Sequence, residues 1–463
     1  MTYLIETYGC QMNKAESSAL ELIFRERGWQ PAEPSDEADL VLINTCSVRA
    51  TAESRAWGRI DHYAAAKRDR AAAVSAGTAR PLALVVTGCM AERMKLEIKE
   101  RQSAVDYVIG TFQKQAFGLV LDAVEQGRPR GDIDESPAFV FAASHYEPGS
   151  FRAFVPIMHG CDNFCAYCIV PHIRGREISR RPSAVLAEIA ALEDSGVREV
   201  TLLGQNVNSY RWSGEPGVAG PDGAALDFPA LLRLISSFLG ERSSGAGGAR
   251  GIRWARFLTS HPKDLSDEVI GVLAEDPLYC RHVHLCVQSG SDAVLRAMNR
   301  KYTRQSYLDL VGRMRAAIPG LSLSTDVLVG FPGETEEDLD LTLGLMASVG
   351  FSYSYMYHYN PREGTPAASM PGRIPEKVKR DRLTRVIELQ KAMTAELMES
   401  RLGSVEEVLI EGPSRRSKAE LLARTQRDEM VVFPAPASRI GSFARVRLVG
   451  LSGNTFKAEE VPG

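Results

Sequence analysis

The first part of the chain alternates short apolar runs with longer stretches of helical character. The apolar runs lie at residues 2–8, 39–44, 82–86 and 105–110, and the helical stretches at 14–28, 48–67, 91–101 and 112–125. Continuous apolar strands that alternate with helices are typical of a parallel sheet covered on both faces. The pattern therefore predicts an N-terminal parallel α/β sheet domain over residues 1–126.

A second series of the same kind follows residues 127–150, whose Pro, Gly, Asp and Glu content predicts a linker. Its candidate strands lie at 154–158, 199–203, 253–258, 282–287, 323–329 and 353–359, with helical stretches such as 183–195 and 335–349 between them. Six βα units predict a partial (β/α)6 barrel over residues 151–400 rather than a closed eightfold one. The Gly-rich stretches 212–225 and 240–251 predict flexible insertions.

After a helix predicted from Glu376 to about Arg401, the pattern changes to short strands. They lie at 405–411, 430–433, 443–449 and 455–460, with turn residues between them. Short strands separated by turns predict a small all-β barrel over residues 401–463. The predicted fold class is α/β, with a parallel sheet domain, a partial barrel and this small C-terminal barrel.

Composition narrows the class of protein. The 463 residues are 44% hydrophobic and 24% charged, as in globular proteins, and the formal net charge is −3. Because no global field attracts nucleic acid, RNA contacts must come from local basic groups. The first residues lack the pattern of a signal peptide and no apolar run is long enough to span a bilayer, so we expect a cytoplasmic protein without a membrane partner. In that compartment eight cysteines are not expected to form a disulfide framework.

Three cysteines, Cys161, Cys165 and Cys168, lie in one short stretch directly after a predicted strand. We call them the loop triad. A four-iron cluster held by three cysteines keeps one iron without a protein ligand, and that iron can bind a small molecule. The alternative is a Cys3His zinc site completed by His159 or His172.

Three further cysteines, Cys10, Cys46 and Cys89, each follow a strand predicted in the N-terminal sheet. We call them the sheet triad. Loops after parallel strands gather at one edge of the sheet, where ligands bind. The three thiols are therefore expected to converge on a second metal site, with three separate buried thiols as the alternative.

The motifs around both triads resemble those of the methylthiotransferase family. They are Thr-Tyr-Gly-Cys-Gln-Met-Asn at 7–13, Asn-Thr-Cys-Ser-Val-Arg at 44–49, Thr-Gly-Cys-Met-Ala at 87–91 and Cys-Ile-Val-Pro-His-Ile-Arg-Gly-Arg-Glu at 168–177. The loop triad, with Tyr167 before its last cysteine, resembles the Cys-x3-Cys-x-aromatic-Cys motif of radical S-adenosylmethionine (SAM) enzymes. The stretch 203–210, Leu-Gly-Gln-Asn-Val-Asn-Ser-Tyr, is similar to the MiaB-type branch that acts on tRNA.

This resemblance implies an N-terminal methylthiotransferase domain, a radical SAM barrel and a C-terminal β-barrel of the TRAM type. It implies one 4Fe-4S cluster on the loop triad, which binds SAM, and a second 4Fe-4S cluster on the sheet triad, which carries or supplies sulfur. No side chain is then expected to act as a catalytic acid or base, because the cofactors carry the chemistry.

The implied reaction converts N6-isopentenyladenosine at tRNA position 37 to its 2-methylthio derivative. The alternatives within the family are an aspartate of a ribosomal protein and threonylcarbamoyl-adenosine in tRNA. The implied partners are SAM, the anticodon loop of tRNA and an electron donor such as flavodoxin or ferredoxin. Substrate choice is expected to depend on the loop 204–210, at the mouth of the barrel.

Four residues are expected to contact SAM: Tyr167, Gln288, Ser289 and Asp326. Tyr167 can equally be a core aromatic of its loop, and the Gln288–Ser289 stretch a plain turn. Asp326 is a charge in an apolar strand and needs a partner.

Cys280 and Cys286 are interpreted as structural thiols. His282, His284 and Cys286 share one strand face, but a metal site there is disfavoured.

Three groups of basic residues are the candidate RNA contacts. They are Arg174, Arg176, Arg180 and Arg181; Arg373, Lys377, Lys379, Arg380, Arg382 and Arg385; and Arg415, Arg416, Lys418, Arg424 and Arg427. Each group can also be a solvated face. The group in the tail is the most suggestive, because small β-barrels bind single strands in grooves.

Overall fold

The computed structural model describes residues 1–33, 38–47, 50–112, 117–127, 139, 141, 150–214, 225–245, 251–417 and 419–461. The predicted linker 127–150 lies almost entirely outside these residues, as does most of the predicted insertion 212–225. The chain divides into two compact units. The first comprises Met1–Tyr146, Phe154–Asp162 and Ile169–Ile178, and the second comprises Glu147–Ala153, Asn163–Cys168 and Ser179–Gly463.

The N-terminal part of the first unit is a five-stranded parallel sheet with helices on both faces, as predicted. Its elements are β1 (Thr2–Tyr8), α1 (Gln11–Glu26), β2 (Gln30–Pro31), β3 (Leu40–Thr45), α2 (Ala50–Ser75), β4 (Ala83–Gly88), α3 (Cys89–Arg93), α4 (Lys95–Arg101), β5 (Tyr107–Ile109) and α5 (Phe117–Glu125). The strand order is β2-β1-β3-β4-β5.

Alternation along β3 explains why this sheet has two apolar cores. Leu40 and Leu42 pack on one face with Phe24 of α1, whereas Val41 and Ile43 pack on the other face with α2. Successive side chains of a strand point to opposite faces, so a strand buried on both faces must be apolar throughout.

The second βα series begins with β6 (Arg152–Pro156) and ends with a long helix, α13. Its elements are β6, β7 (Met158–His159), α6 (Val170–Arg174), β8 (Ile178–Ser179), α7 (Pro182–Asp194), β9 (Glu199–Leu203), β10 (Arg211–Trp212), β11 (Leu226–Asp227), α8 (Phe228–Gly245), β12 (Trp254–Phe257), α9 (Asp267–Glu275), β13 (His282–His284), α10 (Asp292–Ala297), α11 (Arg304–Ala317), β14 (Ser322–Val329), α12 (Glu336–Val349), β15 (Tyr353–His358) and α13 (Glu376–Ser400).

Six of these strands form the predicted partial barrel. Two three-stranded sheets have the orders β12-β9-β6 and β13-β14-β15. Isolated bridges between Ala255 and Tyr279 and between Ser260 and Leu285 join the β12 side to the β13 side. The strands therefore run in chain order around an open barrel, and their carboxyl ends form its mouth.

Several local predictions differ from the structure. The tail strand at Glu420–Thr425 was not predicted, and the helix predicted at 48–67 extends to Ser75. The strand predicted at 282–287 ends at His284, and Gln288 beyond it has φ +64°. The helix predicted at 91–101 is interrupted at Met94, which separates α3 from α4. Residues 240–245, predicted within an insertion, belong to α8. Apart from the unpredicted strand, these differences lie at element ends, where tertiary contacts outweigh local preference.

The tail forms a closed five-stranded barrel, which confirms the predicted all-β unit. Its strands are β16 (Val405–Pro413), β17 (Glu420–Thr425), β18 (Met430–Pro434), β19 (Phe443–Leu451) and β20 (Phe456–Glu460), in the order β16-β17-β18-β20-β19 with β19 returning to β16.

An apolar cluster joins the tail barrel to the partial barrel through Trp254, Cys280 and Leu409. Cys280 is therefore a structural thiol, as predicted. Among the described helices, none has the length and apolar character needed to cross a membrane.

Candidate functional site

The sheet triad lies at the carboxyl ends of three neighbouring strands. The register places Tyr8 of β1 opposite Thr45 of β3, and Thr45 opposite Gly88 of β4. Cys46 and Cys89 directly follow these strands, and Cys10 follows β1 after one glycine. None of the three forms a disulfide among the described residues. The structure therefore brings the sheet triad to one edge of the sheet.

Two buried asparagines hold the loops of the sheet triad in place. Asn13 donates from Nδ2 to Asn44 Oδ1 and to the Thr45 carbonyl, each at 3.1 Å, and its own Oδ1 accepts from the Cys10 backbone at 3.2 Å. Gly88 has φ +93°, and a Cβ there would lie 2.4 Å from Asn44 Oδ1. A side chain at this position would therefore displace the amide that fixes the loops.

Arg174 of α6 brings a buried positive charge to the sheet triad. Its Nη2 donates to Cys89 Sγ at 3.2 Å, and its Nη1 donates to Glu16 Oε1 at 2.8 Å. Burial raises the pKa of the Cys89 thiol to about 11, and Arg174 acts in the opposite direction. A metal that binds Cys89 must therefore displace its proton, and Arg174 favours the resulting thiolate.

The spacing of the thiols bears on the choice of metal. Of the described residues, one group of three or more His, Cys, Asp or Glu side chains has all its ligand atoms within 4.8 Å, and neither triad is that group. Sulfur atoms that share one zinc ion lie at most about 4.6 Å apart, because each Zn–S bond is about 2.3 Å. At least one pair of sulfur atoms in the sheet triad therefore lies farther apart than a single zinc ion would hold it. Three cysteine thiols are the kind of donor set that iron–sulfur clusters use.

In the first unit, Cys161 of the loop triad follows Gly160, whose backbone has a positive φ angle. The Cys161 amide donates to the Gly175 carbonyl at 3.2 Å. Gly160 has φ +79°, and a Cβ on it would lie 2.0 Å from the Arg176 carbonyl. Only glycine permits this close approach of the two backbone segments.

In the second unit, Cys165 and Cys168 belong to a tight turn. The Cys168 amide donates to the Cys165 carbonyl at 2.9 Å. Phe164 before them has φ +46°, and Asn299 Nδ2 donates to its carbonyl at 2.8 Å. A bulky residue in the left-handed region is uncommon and is found mainly where a site requires it.

Arg300 brings a second buried guanidinium to the loop triad. Its Nη1 donates to Cys165 Sγ at 3.3 Å, its Nη2 to the Cys286 carbonyl at 3.0 Å and its Nε to the Tyr302 hydroxyl at 3.1 Å. Of the described residues, none places a carboxylate oxygen within 4.0 Å of it. A buried cation needs an anion, and thiolates around an iron–sulfur cluster would supply one. The donor set therefore fits such a cluster.

The predicted SAM contacts lie in different settings. Tyr167 packs against an apolar cluster that includes Met298. Gln288 is held by its backbone, which donates to the Asp326 carbonyl at 2.8 Å. The Ser289 hydroxyl is within hydrogen-bond distance of Thr342 Oγ1 at 3.2 Å, so it already has a partner inside the fold.

Asp326 has partners that sequence reasoning did not assign to it. His284 Nε2 lies 3.4 Å from Asp326 Oδ2, and Cys286 Sγ donates to the same oxygen at 3.2 Å. Burial alone would raise the pKa of Asp326, but His284 and Cys286 outweigh it and hold that pKa below its usual value. His284, Cys286 and Asp326 are the group whose ligand atoms lie within 4.8 Å. Their mutual hydrogen bonds already satisfy them without a metal.

The loop 204–210 contains buried polar atoms without partners. Asn206 is bonded, with Nδ2 donating to Asp264 Oδ2 at 2.7 Å. Asn208 is 8% exposed, yet neither polar atom of its side chain has a partner among the described residues, and Gln205 Oε1 is in the same state. Buried amides normally have partners, so this loop is suited to a polar ligand.

Exposed aromatic rings on β15 were not predicted as functional. Tyr355 is 43% exposed and Tyr357 is 37% exposed. Tyr355 lies opposite Asp326 in the register, and its ring contacts that of His284 at 5.7 Å. The rings therefore share the face of the sheet that carries Asp326. The signal in the sequence was the alternation of tyrosines at 353, 355 and 357.

Many of the basic residues predicted to contact RNA are paired inside the fold instead. The buried or half-buried ones are Arg174 with Glu16, Arg180 with Glu188, Lys379 with Glu376, Arg382 with Glu334, Arg424 with Glu411 and Asp428, and Arg427 with Glu429. The prediction was wrong for these residues, because acidic side chains neutralise them. Glu16 and Glu334 lie far away in the sequence, whereas Glu376, Asp428 and Glu429 lie within four residues of their partners. Lys418 lies outside the described residues. The exposed basic residues of the tail are Arg415, Arg416, Arg445, Arg447 and Lys457.

Three family models match the chain. They are Uncharacterized protein family UPF0004 over residues 2–110, the Radical SAM superfamily over residues 155–346 and the TRAM domain over residues 399–459. A tRNA-2-methylthio-N(6)-dimethylallyladenosine synthase of Treponema denticola is 46% identical and covers 99% of both chains. A protein of the same name from Bacteroides thetaiotaomicron is 42% identical over 99% of this chain and 95% of its own.

A solved structure shows a related fold. The radical S-adenosylmethionine methyltransferase TsrM from Kitasatospora setae, with cobalamin and a 4Fe-4S cluster bound, has a TM-score of 0.54. It is 15% identical and covers 79% of this chain and 77% of its own. At that identity the similarity concerns the fold alone.

Proposed function

Because this chain belongs to the family of tRNA-2-methylthio-N(6)-dimethylallyladenosine synthases, we propose that its loop triad and its sheet triad each hold one 4Fe-4S cluster. The activity is the 2-methylthiolation of N(6)-dimethylallyladenosine, the isopentenyl-modified base, in tRNA. The observation that supports two clusters is the presence of two separate cysteine triads, each with one sulfur that accepts a hydrogen bond from a buried arginine.

The thiolates of each triad bind three irons of a cluster and leave the fourth open. When bound, the loop-triad cluster and SAM supply the radical chemistry that an unactivated aromatic C–H bond requires. Tyr167, Gln288 and Asp326 contact SAM in this proposal, and Ser289 shapes the turn that presents Gln288.

The target base fits the polar loop and the aromatic strand of the partial barrel. A base that reacts at its edge must leave the stack, and proteins bind such bases by stacking and by hydrogen bonds to their edges. Tyr355 and Tyr357 offer exposed ring faces. The Asn208 amide offers a donor and an acceptor, and Gln205 Oε1 offers an acceptor, that have no other partner among the described residues. We propose that these four side chains hold the adenine.

The modification on the base is expected to decide substrate choice. The isopentenyl group is apolar, and its burial adds roughly 2 kcal/mol of discrimination, comparable to burying one aliphatic side chain. A carbamoyl-threonine group is polar, and an aspartate side chain is too small to fill the same pocket. The proposal therefore favours isopentenyl-adenosine at tRNA position 37 over both alternatives.

The anticodon loop requires a docking surface as well as a pocket. The exposed Arg415, Arg416, Arg445, Arg447 and Lys457 of the tail barrel supply positive charge for phosphates. We propose that the tail barrel binds the RNA backbone through these residues. An external one-electron donor of the flavodoxin or ferredoxin class completes the set of partners.

The test is a side-by-side incubation of reconstituted protein, SAM and a reductant with three substrates. They are tRNA that carries isopentenyl-adenosine, unmodified tRNA and ribosomal protein, with nucleosides and peptides analysed by mass spectrometry. We expect 2-methylthio product on the modified tRNA and at least about 10-fold less on unmodified tRNA, as roughly 2 kcal/mol requires. Methylthio-aspartate as the main product would contradict the proposal.

A further inference from the structure

Two buried arginines occupy equivalent chemical positions at the two triads. Arg174 is 3% exposed and donates to Cys89 Sγ at 3.2 Å, within the first unit. Arg300 is 8% exposed and donates to Cys165 Sγ at 3.3 Å, within the second unit. Each triad thus has one sulfur in contact with a guanidinium. A guanidinium beside a sulfur favours the thiolate form that a cysteine takes when it binds a metal.

The direct hydrogen-bond partners of the two arginines differ in charge. Arg174 also donates to Glu16 at 2.8 Å, so a carboxylate offsets much of its charge. Arg300 has a carbonyl and a phenol as its other partners, and no described carboxylate lies within 4.0 Å of it. Arg174 therefore has a carboxylate as a hydrogen-bond partner, whereas Arg300 acts on the Asp326 carboxylate, whose pKa it helps to lower, without such a bond.

We propose that Arg300 and Arg174 are positioning residues that set the reduction potentials of the loop-triad and sheet-triad clusters, each one separately. The inference rests on the proposed function, because it requires both clusters. Reduction adds one electron from the external donor to a cluster and transfers no proton. The added negative charge is stabilised by a nearby cation and by an N–H···S hydrogen bond, so each arginine raises the potential of its own cluster.

This arrangement has a direct consequence for turnover. Cleavage of SAM at the loop triad would require an electron, and Arg300 would make that site easier to reduce. Glu16 acts in the opposite direction at the sheet triad, because its negative charge opposes reduction. With both residues present, the reduction potential at the sheet triad is therefore lower than with Arg174 alone and higher than with Glu16 alone.

The test is an anaerobic redox titration of the reconstituted full chain, followed by electron paramagnetic resonance. Iron content is measured first, and the two signals are assigned by comparison with variants in which one triad is replaced by alanine. Arg300→Gln is expected to lower the midpoint potential of the loop-triad cluster and to leave the other unchanged. Arg174→Gln is expected to lower the sheet-triad potential, and Glu16→Gln is expected to raise it.

Three control variants separate an effect on the potential from a structural role. Arg382 is a buried arginine that pairs with Glu334, and Arg382→Gln should move neither potential. Arg300→Lys and Arg174→Lys keep the positive charge but lose the planar guanidinium. Their midpoint potentials should lie between those of the wild type and of the glutamine variants. They also replace the glutamine variants if these lose a cluster. SAM cleavage by Arg300→Gln should fall with a weak reductant and recover with a strong one.

Unchanged midpoints in variants that retain about eight irons would overturn the inference and leave the proposed function intact. Equal shifts of both clusters by either arginine variant, or a Glu16→Gln shift in the same direction as Arg174→Gln, would also overturn it. A wild-type chain that reconstitutes without iron would overturn both the inference and the proposed function.

Discussion

His282 on β13 is a histidine held in its neutral form by the fold. It is 5% exposed, its ring stacks on that of Tyr353, and its Nε2 lies 2.9 Å from Ser324 Oγ. Burial lowers its pKa to about 4, against about 6.5 in an unfolded chain. The neutral form therefore contributes stability that is fully present above pH 6.5 and is lost as the pH falls from 6.5 towards 4.

This shift predicts acid sensitivity that depends on one residue. The contribution of His282 amounts to about 3 kcal/mol across that window, by the conversion of a pKa difference to free energy. The Tm of the wild-type chain should therefore fall more steeply between pH 7 and pH 4.5 than the Tm of His282→Gln. His62 is exposed, and His62→Gln is the control that should keep the wild-type slope. Parallel slopes for His282→Gln and the wild type would contradict the assignment.

Asn208 and Asn206 belong to the same loop, and we expect their substitution to have opposite effects on the Tm. Asn208 has no partner among the described residues, so Asn208→Leu should keep or raise the Tm, because a buried polar group without a partner costs about 1–3 kcal/mol. The same variant should lose most methylthiolation of tRNA, because the base loses an amide contact.

Asn206 is bonded to Asp264, so Asn206→Leu should lower the Tm. Both properties are read from one preparation, by thermal unfolding and by nucleoside mass spectrometry. Full activity of Asn208→Leu would exclude the loop from the base site.

At the scale of secondary-structure elements, the two triads depend on different arrangements. The sheet triad depends on the register of β1, β3 and β4 and comes from residues far apart in the chain. The loop triad is a single segment after β7. The fold therefore supplies three cysteines to each site, from three separate strands in one case and from a single segment in the other.

These arrangements predict the iron content. Reconstituted protein should bind about eight irons, four per cluster. Replacement of either triad by alanine should leave about half, measured by iron and labile-sulfide assays. Cys280 is buried and free but belongs to an apolar cluster, so Cys280→Ala should retain all the iron. One tightly bound zinc without labile sulfide would contradict the cluster assignment.

The roles of the two triads should be separable by single substitutions. Cys161→Ala should abolish formation of 5′-deoxyadenosine, because SAM is cleaved at the loop triad. Cys46→Ala should still cleave SAM with a supplied reductant but attach no sulfur to tRNA. Normal methylthiolation by Cys46→Ala would remove the sheet triad from the reaction.

At the scale of the whole chain, the tail barrel is joined to the partial barrel by specific bonds. Buried Arg256 donates to the carbonyls of Thr425 and Gln426 at 2.8 and 3.0 Å, and the Tyr353 hydroxyl donates to Asp428 at 2.7 Å. Removal of the tail would leave these groups without partners. Truncation after Gly403 should therefore lower the Tm as well as RNA binding, so it cannot isolate the role of the tail.

Point substitutions on the exposed strand β19 test RNA docking without that loss. Arg445→Ala combined with Arg447→Ala should weaken tRNA binding and make the affinity less dependent on salt, because fewer counterions are released. SAM cleavage without tRNA should stay unchanged. Arg313 is exposed on α11 outside the tail, and Arg313→Ala should bind tRNA normally. The measurement is tRNA affinity at several salt concentrations, and an unchanged salt slope in the double variant would exclude this face.

The sequence by itself determined the main strands and helices of both βα series, the parallel sheet, the six-stranded barrel, the all-β character of the tail and the positions of both cysteine triads, but not strand β17. These features depend on the period of apolar residues and on short spacings, which are set by neighbours along the chain. The convergence of Cys10, Cys46 and Cys89 was also predictable, because carboxyl ends of parallel strands always share one edge.

Only the tertiary structure decided which charged side chains are already paired within the fold and which are exposed for contact with RNA. The partners Arg300 and Cys165 are 135 residues apart, and Arg256 and Thr425 are 169 residues apart. No local pattern marks such pairs, because their geometry depends on how whole elements pack. The same reason explains why Arg174 and Arg382 were wrongly predicted to contact RNA, since Glu16 and Glu334 lie 158 and 48 residues away. It also explains why Asp326 was not paired with His284 until the register of β13 and β14 was known.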